Sequence, residues 1–77
     1  MMTPFGKEEA DKYGKKIAEL LAGRTVSKRK ATAKLPGGLI YEADRLEIPM
    51  WDLLAALEGM CADGRAREID DSTYYVA

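Results

Sequence analysis

Residues 39–76, LIYEADRLEIPMWDLLAALEGMCADGRAREIDDSTYYV, decide the fold of this chain. In the middle of the stretch, apolar residues recur at helical spacing and form the strongest periodic pattern in the sequence. They are Met50, Leu53, Leu54, Leu57, Met60 and Cys61. Pro49 suits the first turn of such a helix, and Asp63-Gly64 is a typical helix end. The pattern predicts an amphipathic helix that starts after Pro49 and ends at Asp63.

A shorter helix is predicted just before it, up to about Leu46. Four apolar residues there share one helical face: Leu39, Ile40, Ala43 and Leu46. The sequence Glu47-Ile48-Pro49 then interrupts the helix, because a proline disfavours helical geometry at the residue before it. The two helices are therefore joined by a turn of about three residues.

A β-hairpin is predicted after the second of these helices, over residues 65–77. Thr, Tyr and Val are favoured in strands, and Asp71-Ser72 supply residues that are common in turns. Because neighbouring strand residues point to opposite faces, one of Tyr74 and Tyr75 should be in the core and the other exposed.

Upstream, residues 7–22 carry a helical apolar stripe, and Gly23 is placed to end the helix. The stripe consists of Ala10, Tyr13, Ile17, Leu20 and Leu21. Residues 24–38 contain five cations and no acid, and Leu35-Pro36-Gly37-Gly38 predicts a turn. This basic segment is expected to be an irregular or mobile loop, with a short strand at residues 31–35.

Helix, turn, amphipathic helix and hairpin together resemble the winged helix–turn–helix superfamily. The residues that carry the resemblance are Ala43-Asp44-Arg45-Leu46-Glu47-Ile48-Pro49, Leu53-Leu54-Ala55-Ala56-Leu57-Glu58, Gly64-Arg65-Ala66 and Ile69-Asp70-Asp71-Ser72-Thr73-Tyr74-Tyr75-Val76. The resemblance implies a mainly α fold with a small β-hairpin, an α+β class, in which three helices are followed by a C-terminal wing. It also implies that the third helix enters the DNA major groove while the wing touches the neighbouring backbone or minor groove.

Bulk composition bounds the function. Seventy-seven residues make one domain, expected to span residues 1–77. We expect no membrane span, no signal peptide and a cytoplasmic location, because no long apolar run is present. With Cys61 as the one cysteine, no histidine and no phosphate-binding loop, we expect neither an enzyme nor a cofactor or metal site.

Charge is distributed unevenly along the chain. Residues 1–41 hold nine Lys and Arg against four acids, a net charge of +5, whereas residues 42–77 hold three Arg against nine acids, a net charge of −6. Such polarity predicts an anionic partner at one end of the molecule or a basic partner at the other. Head-to-tail association into a homodimer is a further alternative.

The cations of the basic segment and of the hairpin are the candidate contacts to double-stranded DNA. They are Arg24, Lys28, Arg29, Lys30, Lys34, Arg65 and Arg67. Such residues bind phosphates without reading sequence. Two alternatives stay open: the basic segment is a solvated loop, and Arg65 and Arg67 pair with nearby acids such as Glu68 or Asp70.

The outward face predicted for the third helix contains no cation and no amide side chain to read bases. Its expected residues are Asp52, Ala56, Glu58, Gly59 and Asp63. Two functions therefore compete. One is a small DNA-binding transcriptional regulator or accessory factor with mainly backbone contacts, and the other is a protein–protein interaction module that presents this acidic face to a basic partner.

Two further side chains have alternative roles. Trp51 either caps the core, which is the expectation, or anchors a partner, since tryptophan is enriched at interaction hot spots. Cys61 lies on the predicted buried stripe and is expected to be a small core residue, because no histidine is present to activate it.

Overall fold

A computed structural model shows an α+β domain of three α-helices and one three-stranded antiparallel sheet. It describes residues 6–32 and 34–77, except for the side chain of Lys30. In chain order the elements are α1 (Lys7–Leu21), β1 (Thr25–Ser27), a 3₁₀ turn (Lys30–Thr32), α2 (Leu39–Leu46), α3 (Met50–Asp63), β2 (Ala66–Asp70) and β3 (Thr73–Val76). None of the described helices is long and apolar enough to cross a membrane.

The three predicted helices and the hairpin are confirmed, with ends within a residue of those expected. Two helices end on a residue in the left-handed conformation. Glu47 closes α2 with φ +58°, and Gly64 closes α3 with φ +89°. In each case the backbone N–H of the cap donates to carbonyls of the last turn, which would otherwise lack partners.

β3 is the central strand of the sheet, in the order β1-β3-β2. Tyr74 lies opposite Val26 of β1 and Glu68 of β2. The register between β2 and β3 shifts between Glu68 and Asp70, so β2 contains a bulge next to the turn. As predicted, the two tyrosines face opposite ways: Tyr74 is buried, and Tyr75 is only partly covered.

The strand predicted at residues 31–35 is wrong. The strand in this segment is β1, six residues earlier, and the 3₁₀ turn occupies Lys30–Thr32. The reason is burial, because Val26 is fully buried while Leu35 is 56% exposed. Backbone hydrogen bonds from Leu35 to Thr32 and from Gly38 to Leu35 close turns instead. Ala33 lies outside the described residues.

The core lies between the helices and the inner face of the sheet. Its largest fully buried side chains are Tyr74, Ile17, Leu21, Leu46, Leu53, Leu57, Met60, Val26 and Val76. α1 and α3 meet through small residues, because Ala10 is buried and its neighbour Gly6 lies against Ala55 and Gly59. This close contact fixes which side of α3 faces outward.

Candidate interaction surface

The outward side of α3 is a stripe of Trp51, Leu54, Glu58 and Cys61. These residues are spaced by three, four and three, so they lie along one side of the helix. Trp51 is 72% exposed, the most exposed of the large apolar residues that the structure describes. Leu54, Glu58 and Cys61 are each half-buried. We call these four residues the α3 stripe.

This stripe differs from the face predicted from the sequence. Ala56 and Gly59 were expected outside, but both are buried. The cause is that α3 is covered on two sides, by the core and by the start of α1. A Cβ atom on Gly59 would overlap the carbonyl of Gly6 and lie 2.8 Å from the Cβ of Ala10. The expected role of Trp51 as a cap on the core is also wrong, since its side chain is mostly in solvent.

Glu58 connects the α3 stripe to the hairpin. The hydroxyl of Tyr74 donates a hydrogen bond to the Glu58 carboxylate. The Lys28 ammonium, which follows β1, donates to the same Tyr74 oxygen at 3.1 Å and lies 4.7 Å from the centre of its ring. Lys28 also lies 3.8 Å from a carboxylate oxygen of Glu58 and 3.7 Å from one of Glu68. We call these four residues the Lys28 cluster.

The Lys28 cluster leaves the tyrosine protonated. Burial raises the pKa of Tyr74 well above its usual value of 10, and the hydrogen bond to Glu58 raises it further. One ammonium and two carboxylates give the cluster a net charge of −1. Lys28, a candidate phosphate contact, therefore already has two carboxylate partners inside the protein.

Arg29 is attached to the turn of the hairpin. Its Nε donates to the Ser72 hydroxyl at 2.6 Å, and the backbone N–H of Lys28 donates to the Ser72 carbonyl at 2.8 Å. Ser72 also donates through its backbone N–H to Asp70 at 2.8 Å. This bond, and a second one from the Ser72 hydroxyl, hold the pKa of Asp70 below its usual 3.8. The basic segment and the hairpin turn are thus one connected unit.

The two hairpin arginines have different environments. Arg65 makes an ion pair with Asp63, with 2.5 Å between Nη2 and Oδ2. Its side chain and backbone N–H donate hydrogen bonds to the Asp63 carboxylate, and these bonds lower the pKa of Asp63. Pairing with an acid was one of the alternatives, although the partner is Asp63 rather than Glu68 or Asp70. The guanidinium of Arg67 lies 5.1 Å from the ring centre of Tyr75, which is its cross-strand neighbour.

Two other predicted contacts, Arg24 and Lys34, are exposed, and neither takes part in an ion pair with the residues that the structure describes. The side chain of Lys30 lies outside the described part of the chain. Of the candidate cations, Lys28 and Arg65 form ion pairs, Arg29 is hydrogen-bonded to the turn and Arg67 lies over a tyrosine ring. None of the candidates lies on α3.

Exposed carboxylates are found where α2 meets α3. Asp44 lies in the last turn of α2, and Glu47 is the residue that closes it. Both are exposed, and over residues 6–32 and 34–77 neither has a cation within 4.0 Å. The nearby Arg45 is engaged elsewhere, because it pairs with the buried carboxylate of Glu42 at 2.9 Å. We call the segment 44–51 the acidic corner.

The described part of the chain has shallow cavities and one half-buried thiol. A cavity of about 190 Å³ lies between α1 and α3, and another of about 310 Å³ lies on the outer face of the hairpin. Among the described residues, no group of three His, Cys, Asp or Glu is placed to hold a metal ion. Burial, followed by the nearby Glu58, raises the pKa of the Cys61 thiol above 9.0, which makes it a weak nucleophile at neutral pH.

The Lys28 cluster does not follow from the sequence pattern. Tyr74 is 46 residues from Lys28 and 16 from Glu58, so no local spacing relates them. The close contact at Gly59 was not predicted either, although the small residues Ala55 and Gly59, four apart on one helix, are a signal for tight helix packing.

No protein-family model, no curated protein and no solved structure matches this chain.

Proposed function

We propose that the chain is a winged-helix domain that works as a protein–protein interaction module through the α3 stripe. The fold part of the proposal is supported by the order of elements. α2 and α3 are joined by three residues, and a hairpin with a tight turn follows. This is the arrangement that the resemblance implies, and β1 adds a third strand to the hairpin. Because one fold supports several functions, the surface has to decide between them.

The exposure of Trp51 carries the functional proposal. A tryptophan buries a large apolar area when a partner covers it, and tryptophans are enriched among the residues that dominate binding energy. Trp51 is 72% exposed in the first turn of α3, and the half-buried Leu54 lies one turn further along the same stripe. Covering such a surface with a partner protein removes apolar area from water and so stabilises the complex.

Charge argues against DNA as the ligand of this surface. Residues 44–63 hold five acids against the single cation Arg45. Glu58 lies next to Lys28 and Asp63 pairs with Arg65, which leaves Asp44, Glu47 and Asp52 as acids without a described ion pair. Binding to duplex DNA requires cations against phosphates, and base reading by a helix requires donors such as Arg, Lys, Asn or Gln. α3 contains none of these four residue types.

Site-specific crosslinking tests the proposal. A photoreactive phenylalanine analogue replaces Trp51 in one variant and Leu20 in a matched control, because Leu20 is also an exposed apolar residue but lies on α1. Irradiation in extracts of the cells that produce the protein should give a discrete protein adduct from position 51 and none from position 20. Equal adducts from both positions, or adducts to DNA alone from position 51, would contradict the proposal.

DNA binding through the backbone is the second candidate function. It is favoured by the exposed cations Arg24, Arg29 and Lys34 of the basic segment, of which Arg29 is hydrogen-bonded to the hairpin turn. These three could contact phosphates while α3 reads no bases.

A titration of labelled duplex DNA at low salt tests this second candidate. If it is correct, changing Arg24, Arg29 and Lys34 together to Glu abolishes binding. The control changes Lys12, Lys15 and Lys16 of α1 to Glu, which alters net charge equally but should leave binding intact. Absence of binding by the wild-type protein at low salt, or equal losses in both triple variants, rules out a specific DNA surface here.

A further inference from the structure

We infer that the partner of the α3 stripe is a basic segment of another protein, in which an Arg or Lys side chain lies on the Trp51 indole and an apolar side chain lies beside it. The inference rests on the proposed function and adds the chemistry of the partner to it. It is carried by the combination of an exposed indole and, at the acidic corner, exposed carboxylates that pair with none of the described cations.

The carboxylates supply the charge complementarity. Asp44 and Glu47 are exposed and have no cation within 4.0 Å among the residues that the structure describes. The one cation of the corner, Arg45, pairs at 2.9 Å with the buried Glu42, so the corner and Glu42 together carry a net charge of −2. A basic side chain from outside would therefore meet a negative field, which accelerates encounter and disfavours acidic partners.

The indole supplies a second, more specific contact. A guanidinium or ammonium over the face of a tryptophan is attracted by its π electrons, and tryptophan is the best of the aromatic side chains for this contact. The same chemistry already occurs three times among the described residues, where Lys12 lies over Tyr13, Lys28 over Tyr74 and Arg67 over Tyr75. Trp51 is not the ring in any of the cation–π contacts among the described residues.

Leu54 adds an apolar contact next to Trp51, so the partner also needs an apolar side chain beside its cation. It is half-buried one turn from Trp51 on the same stripe, and Glu58 beyond it is already bonded to Tyr74 and lies close to Lys28. The accessible groups are thus the Trp51 indole, the uncovered part of Leu54, which otherwise packs against the core, and, just ahead of α3, the carboxylates of Asp44 and Glu47. A segment with alternating basic and apolar residues matches both parts.

A second copy of the chain is the main rival occupant, because α1 exposes Lys12, Lys15 and Lys16. A contact between α1 of one copy and α3 of the next would be head-to-tail. Such contacts leave one complementary surface free at each end and propagate into open chains unless the rotation closes a ring. In addition, α1 holds four lysines and four acids, a net charge of zero, so it complements the acidic corner less well than a basic segment does. We therefore commit to a basic segment of another protein as the occupant.

The fluorescence of Trp51 reports on this surface directly, because the chain contains one tryptophan. The probe is a twelve-residue peptide of alternating Arg and Leu, and the control peptide has Glu in place of every Arg. The Arg peptide should change the emission saturably, and raising the salt from about 0.05 M to about 0.5 M should weaken binding at least about tenfold. The Glu peptide should not bind.

Charge variants distinguish the effect of the acidic corner from the effect of the net charge of the protein. The double variant D44N/E47Q should bind the Arg peptide about tenfold more weakly, because it removes both unpaired carboxylates. The control D70N/D71N removes the same charge from the hairpin turn and should bind as the wild type does. Equal weakening in both variants, or equal binding of the Glu peptide, would overturn the inference.

Two further outcomes are distinguishable. If sedimentation shows concentration-dependent association that K15E/K16E abolishes, the occupant is a second copy and the inference is wrong. If the Arg peptide does not bind while position 51 still gives a discrete protein crosslink, the partner class is wrong and the proposed function stands. If neither the peptide nor the crosslink is observed, both fail.

Discussion

The carbonyl of Gly6 packs directly against Gly59 of α3, where no side chain larger than hydrogen fits. Gly6 has φ +83°, and its carbonyl accepts the hydrogen bond of the Ala10 N–H at 2.8 Å, so the start of α1 is fixed where it meets α3. This contact buries Gly59, whereas Trp51, two turns earlier in α3, is exposed. One side of α3 is therefore covered through a pair of glycines.

Substitution of Gly59 by Ala should destabilise the domain by about 1–3 kcal/mol, because the added methyl group forces α1 and α3 apart. The matched control is Gly14→Ala, in the middle of α1, where the added Cβ meets the guanidinium of Arg65, the flexible end of an exposed side chain. There the gain in helix propensity, about 1 kcal/mol, offsets the disturbed Arg65–Asp63 pair. Urea unfolding of both variants measures the difference. A Gly59→Ala variant as stable as Gly14→Ala would show that the contact is not tight.

Tyr74→Phe should destabilise the domain by about 1 kcal/mol, because it removes the hydroxyl that joins Glu58 to Lys28 and leaves the ring in place. Tyr75→Phe is the control, since Tyr75 lies on the outer face of the sheet; its effect should stay below about 0.5 kcal/mol. Thermal unfolding of the two variants under identical conditions provides the comparison. Equal effects would mean that the Lys28 cluster does not stabilise the hairpin against α3.

Cys61 should react slowly with iodoacetamide in the folded protein. Burial and the neighbouring Glu58 raise its pKa above 9.0, so little thiolate exists at pH 8. The midpoint of the rate measured as a function of pH should therefore lie above the midpoint for the urea-unfolded chain. In Glu58→Gln the midpoint should fall but stay above the unfolded value, since burial is the larger cause. A folded midpoint below the unfolded one would contradict the structure.

Asp70 should titrate below its ordinary pKa of 3.8 in an NMR pH series, because the Ser72 backbone N–H and hydroxyl both stabilise its ionised form. A pKa that is lowered by folding contributes stability above about pH 3.8, and this contribution is lost as the pH falls through the folded value. Ser72→Ala should raise the pKa of Asp70 only part of the way, since the backbone donor remains. An unchanged pKa in this variant would mean that the hydroxyl bond is absent in solution.

Local periodicity predicted most of the fold. The stripe from Met50 to Cys61 and the Pro49 break placed α2 and α3 correctly, because such signals act over a few residues. The position of β1 was missed, since three residues are too few for a period and their pairing with β3 is set by tertiary contacts. Strand propensity is in general decided by such contacts.

The candidate surface was harder to predict than the fold. An ideal helical projection puts Gly59 outside, and only the contact with Gly6 shows that it is buried. Likewise, Lys28 belongs to a run of three cations that predicts phosphate binding, yet long-range contacts place it next to Glu58 and Glu68. Exposure of Trp51 and pairing of Lys28 both depend on residues distant in sequence, which a linear pattern does not encode.

The indole N–H of Trp51 gives a single resonance in a ¹⁵N-labelled sample. Its response to two ligands shows whether a protein or DNA binds the α3 stripe. We predict that this resonance shifts or broadens when the protein identified by crosslinking at position 51 is added, and that a duplex DNA at low salt leaves it unchanged. The proposal that a protein binds the α3 stripe is wrong if duplex DNA shifts the indole resonance together with the backbone amides of α3 while the crosslinked protein leaves them unchanged.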